Sequence, residues 1–403
     1  MDLTSNHPYW TLRNGLLSIH PPLESDEHCD MIVLGAGISG SLVAEALTAD
    51  GHDVVMLDAR EIGHGSTSAS TALLQYEIDT HLIDLISLHG ERSARLAYQA
   101  CYESIDLLDQ LIRSTPGDDC GFVRKDSVYL ASRQRDASIL AAECEARKAA
   151  GIEVELWNEA DVRSHFDFAR PAALHSPQAA EVDPYRLTNR LLHTIVSRGG
   201  RIYDRTCAVR VDTNRDGLIV RTNRRTNVYG KRLIVATGYE TESLFDTGDL
   251  VDLRSSFALA SEPLAQGSRW WRDCLLWETA RPYFYLRTDA DGRALLGGED
   301  IPFRNPALRD KLIGRKTARL EKRWQELFPQ APMEPAYRWA GTFGETRDGL
   351  AYIGRHRGHP LCHFALGFGG NGITYSAIAA EILRRQVRGL PHPWEPVFRF
   401  DRD

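Results

Sequence analysis

Residues 29–40 read Cys29-Asp30-Met31-Ile32-Val33-Leu34-Gly35-Ala36-Gly37-Ile38-Ser39-Gly40, a short apolar strand running into a glycine turn and the start of a helix. Leu42, Val43, Ala46 and Leu47 keep the helical period through Ala49, Gly51 ends it, and Asp53 to Asp58 form a second apolar strand. This is a βαβ unit, and within it the spacing Gly35-x-Gly37-x-x-Gly40 has a physical reading. Gly35 permits the tight turn, Gly37 lets backbone approach a pyrophosphate, and Gly40 lets helix and strand pack closely. Ile38 and Ser39 then sit in the first turn of the helix, whose free N–H groups face the phosphates. Asp58 closes the second strand, near the ~20-residue spacing at which an acidic side chain accepts from ribose hydroxyls and repels a 2′-phosphate.

Outward from this unit, helical patterns are predicted at about 91–113 and 137–150, with a strand over 127–131 between them. Asp183-Pro184 supplies an N-cap and a first-turn proline for a helix ending at Gly199-Gly200. Strands follow over 201–211 and 218–222, around turn residues 214–217, and again over Leu233-Ile234-Val235-Ala236-Thr237-Gly238. Two antiparallel strands are predicted over 283–287 and 294–297. A charged helix then runs from Asn305-Pro306 to about Phe328, and the glycine run 367–372 opens a last helix to about Val387. The fold class is α/β with two domains: a Rossmann-like nucleotide-binding domain with a three-layer core, and a substrate domain with a large mixed or antiparallel sheet. The expected pieces are 28–84, 183–245 and 335–392 for the first and 85–182 and 246–334 for the second. An N-terminal extension (1–27) and a C-terminal tail (393–403) complete the chain.

With 403 residues, 43% of them hydrophobic, the chain can supply a core for each domain. A formal charge of −7 argues against nucleic acid as partner. Seven widely spaced cysteines without a C-x-x-C signal neither a disulfide frame nor a metal site. No secretory leader and no run of about 18 apolar residues is present, so a cytoplasmic protein without a membrane span is expected.

Several further segments resemble the D-amino-acid oxidase-like superfamily of FAD-dependent oxidoreductases, particularly its glycine oxidase and sarcosine oxidase branch. They are Asp58-Ala59-Arg60, Ile62 to Thr71, the Asp183-Pro184 helix start, Leu233 to Tyr239, Thr346-Arg347-Asp348-Gly349, and Gly367 to Ile373. The resemblance implies FAD and oxidation of a C–N bond. It assigns to the cofactor Gly65, Ser66, Thr67, Ala69, Ser70 and Thr71, whose small side chains and hydroxyls suit the pyrophosphate and flavin edge. Val209, Ala236, Thr237 and Gly238 are assigned with them. So are Gly369, Gly370, Asn371, Gly372, Ile373 and Thr374, where a helix N-terminus favours negative charge on a reduced flavin.

The chain departs from the family's pattern at the positions that hold a substrate carboxylate. Phe343, Thr374 and Gln75 stand where relatives carry arginine, lysine and arginine, and a buried carboxylate without a cation is costly. Arg287, beside Tyr283 and Tyr285, is the expected replacement, with the two tyrosines positioning the substrate nitrogen. The acidic stretch Gln75 to Asp79 would suit a cationic amine, or is a solvated loop. Ala69 and the Gly341-Thr342 stretch occupy the positions of covalent tethers, so FAD is expected to be noncovalent. Leu295 replaces a lysine that assists oxygen, which favours a redox carrier as electron acceptor, with oxygen as the other possibility. The expected activity is FAD-dependent oxidation of an amine or amino-acid-like small molecule, with hydride accepted at flavin N5. A hydroxy-acid or polyol-phosphate dehydrogenase and a non-catalytic flavin-bearing subunit remain open alternatives.

Overall fold

The computed structural model describes residues 2–5, 7–214, 217–246 and 250–402. Strand Glu27–Leu34 lies inside an eight-stranded sheet and pairs in parallel with Val54–Leu57 on one side and Asn227–Val235 on the other. Arg201–Tyr203 continues the sheet beyond Val54–Leu57. His359–Leu366 and then Tyr352–His356 continue it beyond Asn227–Val235. Side chains alternate as a buried sheet requires. Met31, Val33, Val54 and Met56 pack under helices Ile38–Ala49, Pro184–Ser197 and Gly372–Val387, while Ile32, Leu34, Val55 and Leu57 pack beneath Leu218, Val220 and Phe245.

The strand expected over 201–211 is two strands, Arg201–Tyr203 and Ala208–Thr213. Between them Arg205 takes a positive φ of 46° and the Thr206 N–H is drawn to the Asp58 carbonyl at 2.8 Å, which breaks the ladder. The turn expected over 214–217 falls partly on Arg215 and Asp216, outside the described residues. The helix expected from Glu91 begins earlier, as Leu82–Ser114, with a break at Gly90.

The second sheet has nine strands. Its path runs Pro335–Thr346, Val251–Pro263, Arg293–Pro302, Phe284–Thr288, Leu275–Glu278, Val123–Leu130, Ala172–Glu181, Leu73–Gln75, and the ninth, Glu155–Asn158, pairs with Ala172–Glu181 off this path. Only the pairing of Leu275–Glu278 with Val123–Leu130 is parallel among the registered pairs of this sheet. Leu73–Gln75 and Pro335–Thr346 thus join this sheet, although the sequence placed both in nucleotide-binding pieces. Cross-strand pairing decides it: Leu73–Gln75 pairs with Ala179 to Glu181, and Pro335–Thr346 with almost all of Val251–Pro263. Helix Pro306–Leu327 covers one face, burying Leu320, Trp324 and Leu327 against Leu259, Leu286 and Leu296. The opposite face looks onto the glycine turns of the first sheet.

Candidate active site

A cleft of about 840 Å³ runs from the Gly35 turn, between the two sheets, to the N-terminus of helix Gly372–Val387. The walls at its first end are backbone. An added Cβ at Gly35 would stand 2.3 Å from the Ala236 carbonyl oxygen, and one at Gly40 only 1.8 Å from that of Gly35. Thr67 Oγ1 accepts the Ile38 N–H at 3.0 Å, which lays the Gly65 to Thr71 loop across the helix N-terminus. Asp58 accepts from Ala36 N–H at 2.7 Å and Arg60 N–H at 2.9 Å, and burial pushes its carboxyl above the usual range. Arg60 in turn pairs with Glu240 at 2.7 Å.

Three consecutive carbonyls of the loop are held from behind. Trp339 Nε1 donates to Ala69 O at 2.8 Å, Trp10 Nε1 to Ser70 O at 2.7 Å, and Arg287 Nε to Thr71 O at 2.7 Å. Arg287 is therefore not a substrate anchor. It is 1% exposed, also donates to Val182 O at 2.9 Å, pairs with Glu181 at 3.4 Å, and lies over the Trp10 ring. Tyr285 and Arg287 share a sheet face, as period 2 requires, but the Ala69–Thr71 loop and helix Tyr9–Asn14 cover the sheet at Arg287.

The other sequence-assigned residues line the cleft, with three exceptions. Gly40 acts in packing, as its position in the motif requires. Val209 is 53% exposed, because the strand bulges there, between Ala208 paired with Thr222 and Arg210 paired with Arg221, and Thr206, Cys207 and Ala208 close that end instead. Thr374 is buried with its hydroxyl donating to Asn371 O at 2.9 Å. Asn371 Nδ2 fastens the last turn to Gln75 O (3.1 Å) and Glu77 O (2.9 Å). Asp79 Oδ2 takes the Gly370 N–H at 3.1 Å, so the first-turn N–H groups facing the cleft are those of Gly372 and Ile373.

Opposite this turn stand Tyr283, Tyr285, Trp277, Ser256, Phe343 and Asp300. Trp277 stacks on Tyr129 at 3.6 Å, whereas Trp270 is buried in the core against Trp324 and Phe328. Tyr283 Oη donates to Asp79 O at 3.3 Å, and Tyr285 Oη lies 3.4 Å from Ser256 Oγ. Burial pushes the Tyr285 phenol up to about 12, so it stays protonated at neutral pH. Asp300 was not singled out in the sequence, and burial raises its carboxyl to about 7. Phe343 lines the cleft, Gln75 offers an amide, and Thr374 faces away, so none of these three positions presents a cation to it.

This cleft fits a long dinucleotide. Glycine cradles where side chains are excluded, two helix N-termini and a loop of hydroxyls succeed one another along one channel, whose volume lies within the roughly 300–1,000 Å³ of ligand sites. Ala69, Gly341 and Thr342 carry no group for a covalent tether.

Comparison with known proteins agrees. A family model described as FAD dependent oxidoreductase matches residues 30–386. A putative Rieske 2Fe-2S iron-sulfur protein of Bacillus subtilis is 25% identical over 396 residues, 97% of this chain and 74% of that protein. Glycine oxidase of the same organism is 24% identical over 93% of this chain and 98% of its own. The crystal structure of glycine oxidase from Geobacillus kaustophilus superposes with a TM-score of 0.78 at 19% identity, covering 94% of this chain and 99% of that one. The channel, its glycine turns and the match along nearly the whole sequence have one explanation, which is that the chain belongs to the family of FAD-dependent oxidoreductases.

Proposed function

We propose that the protein oxidises the C–N bond of an amine or amino-acid-like substrate, with Tyr283 and Tyr285 orienting the nitrogen opposite the Gly369 to Ile373 turn. The observation that carries the reading is this end of the cleft, where two phenols and one carboxylate face a helix N-terminus behind an aromatic wall. FAD, when bound, supplies the two-electron acceptor. The chain's own task is then to hold a neutral amine, exclude water and fix its orientation. The Gly35 to Gly40 turn, Asp58, the Gly65 to Thr71 loop and the Ala236 to Gly238 segment would hold the cofactor. Glycine oxidase relatives support an amine substrate. The electron acceptor is proposed to be a carrier other than oxygen. Leu295 is wholly buried among Tyr9, Trp10 and Trp339, and among the described residues no lysine lines the cleft.

Anaerobic spectrophotometry of the holoprotein against amines, amino acids and hydroxy acids tests the proposal. Bleaching by amines or amino acids supports it; bleaching by hydroxy acids alone overturns it. Tyr285→Phe removes one orienting hydroxyl and is expected to slow flavin reduction about tenfold, the loss of one hydrogen bond in the reacting geometry. Stopped-flow reduction would show this at saturating substrate, with FAD content unchanged.

A further inference from the structure

A second chamber of about 550 Å³ adjoins the reacting end of the cleft, and Asp79, Tyr283 and Asp300 stand on the wall common to both. Asp300 reaches this wall because of a bulge. Strand Val251–Pro263 pairs Phe257 with Gly298 but Ser255 with Ile301, so strand Arg293–Pro302 carries one extra residue there. Gly298 and Glu299 absorb it with φ of 130° and 57°. An added Cβ at Gly298 would lie 1.9 Å from Tyr283 O, so only glycine fits. One extra residue exchanges the faces of everything after it. Glu299 accordingly turns to helix Pro306–Leu327, where Lys316 (3.0 Å) and Arg319 (2.9 Å) hold it, and Asp300 turns to the chamber.

The charges around the chamber do not cancel. Glu345 is paired with Arg254 at 2.9 Å. Arg281 is exposed, and its guanidinium carbon lies over the Tyr283 ring, 3.4 Å from the centroid. Asp79 Oδ2 is engaged by one backbone N–H, whereas Asp300, beside the Ser256 hydroxyl, keeps one buried carboxyl oxygen, Oδ1, that accepts no hydrogen bond. A buried carboxylate oxygen without a donor marks a place for one.

Building on the amine-oxidation reading, we propose that Asp300, with Asp79 beside it, receives the second positive group of a diamine-type substrate, so that the protein favours amines carrying a distal cation over α-amino acids. An ammonium brings three donors and one charge to a carboxyl oxygen that has neither an ion-pair partner nor a donor. Asp300 is faced by Asp79 from the loop after Leu73–Gln75, Glu345 and Arg254 from neighbouring strands, Tyr283, Tyr285 and Arg281, with Lys316 behind the bulge. Burial, with Asp79 and Glu345, raises the Asp300 carboxyl to about 7, while the Ser256 hydroxyl and, more weakly, Lys316 oppose them. Cation binding should therefore strengthen as pH rises through 7, when the carboxylate forms, and weaken below it.

The test compares 1,5-diaminopentane, n-pentylamine and alanine as reductants of the holoprotein between pH 6 and 8. Binding of the same three to the dithionite-reduced holoprotein is measured in parallel by anaerobic calorimetry, where no turnover occurs. The diamine is expected to bind at least about tenfold more tightly than pentylamine at pH 8, with most of the advantage gone at pH 6. Asp300→Asn should erase the advantage and its pH dependence; Asp79→Asn should reduce it. Equal binding of diamine and monoamine by the unaltered protein overturns the proposal, as does a preference for alanine that Arg281→Met abolishes. If no amine bleaches the flavin, the amine reading fails, while calorimetry still decides whether the wall binds a cation.

Discussion

Arg287→Ala is expected to cost the protein its FAD and much of its stability while sparing the substrate affinity of whatever holoprotein survives. The change leaves Thr71 O and Val182 O without their donor and Glu181 buried with Lys125 alone at 3.6 Å. Removing one partner of a buried ion pair costs about 3–5 kcal/mol. The loop that lies over the cofactor cleft loses one of its three rear supports in the same step. Arg287→Lys, which keeps the charge but not the planar fork, should fall between. Thermal unfolding and the ratio of flavin to protein after gel filtration check this. A stable, fully flavinated variant with a raised KM would mean that Arg287 binds substrate after all.

The second large effect is expected from a single methyl group. Gly40→Ala places a Cβ 1.8 Å from the Gly35 carbonyl oxygen, inside any permitted contact, so either the turn or helix Ile38–Ala49 must move. Both carry the N–H groups aimed at the pyrophosphate, and FAD affinity should fall by two orders of magnitude or more, about 3 kcal/mol. Equilibrium dialysis of the apoprotein with FAD measures it. Gly314→Ala supplies the control: in the exposed interior of helix Pro306–Leu327 nothing lies within 4 Å of the new Cβ, and alanine should stabilise by roughly 0.5–1 kcal/mol. Unchanged FAD binding in Gly40→Ala would remove the steric reading of the motif.

What the sequence made legible is local. The Gly35 turn, the carboxylate of Asp58, the hydroxyl loop and the last glycine turn are each set within a few residues, and all of them line one cleft. What it left hidden depends on distant chain. Arg287 reads as a strand arginine facing a ligand, and nothing nearby announces that Trp10 and the Thr71 carbonyl will cover it. Asp300 would point away from the cleft in a regular strand, and the bulge that turns it inward follows from pairing with Val251–Pro263. Val209 was misplaced by a bulge in Ala208–Thr213, set by its pairing with the distant residues 221 and 222. Gly298 followed by two acids was the one local hint, since a glycine within a strand pattern suggests a bulge.

The three rear supports of the cofactor loop also fix a timetable. They come from residues 60, 216 and 270 positions away along the chain, the last of them Trp339. Contacts so remote form after the intervening elements have folded, because closing a longer chain costs more entropy before it returns any contact. On a ribosome the glycine turn emerges well before the surface that grips the flavin is finished, which waits for Trp339, 270 positions beyond Ala69. Colour should thus be the last property a nascent molecule acquires, and a product cut short before Trp339 should stay colourless even where its first βαβ unit has formed.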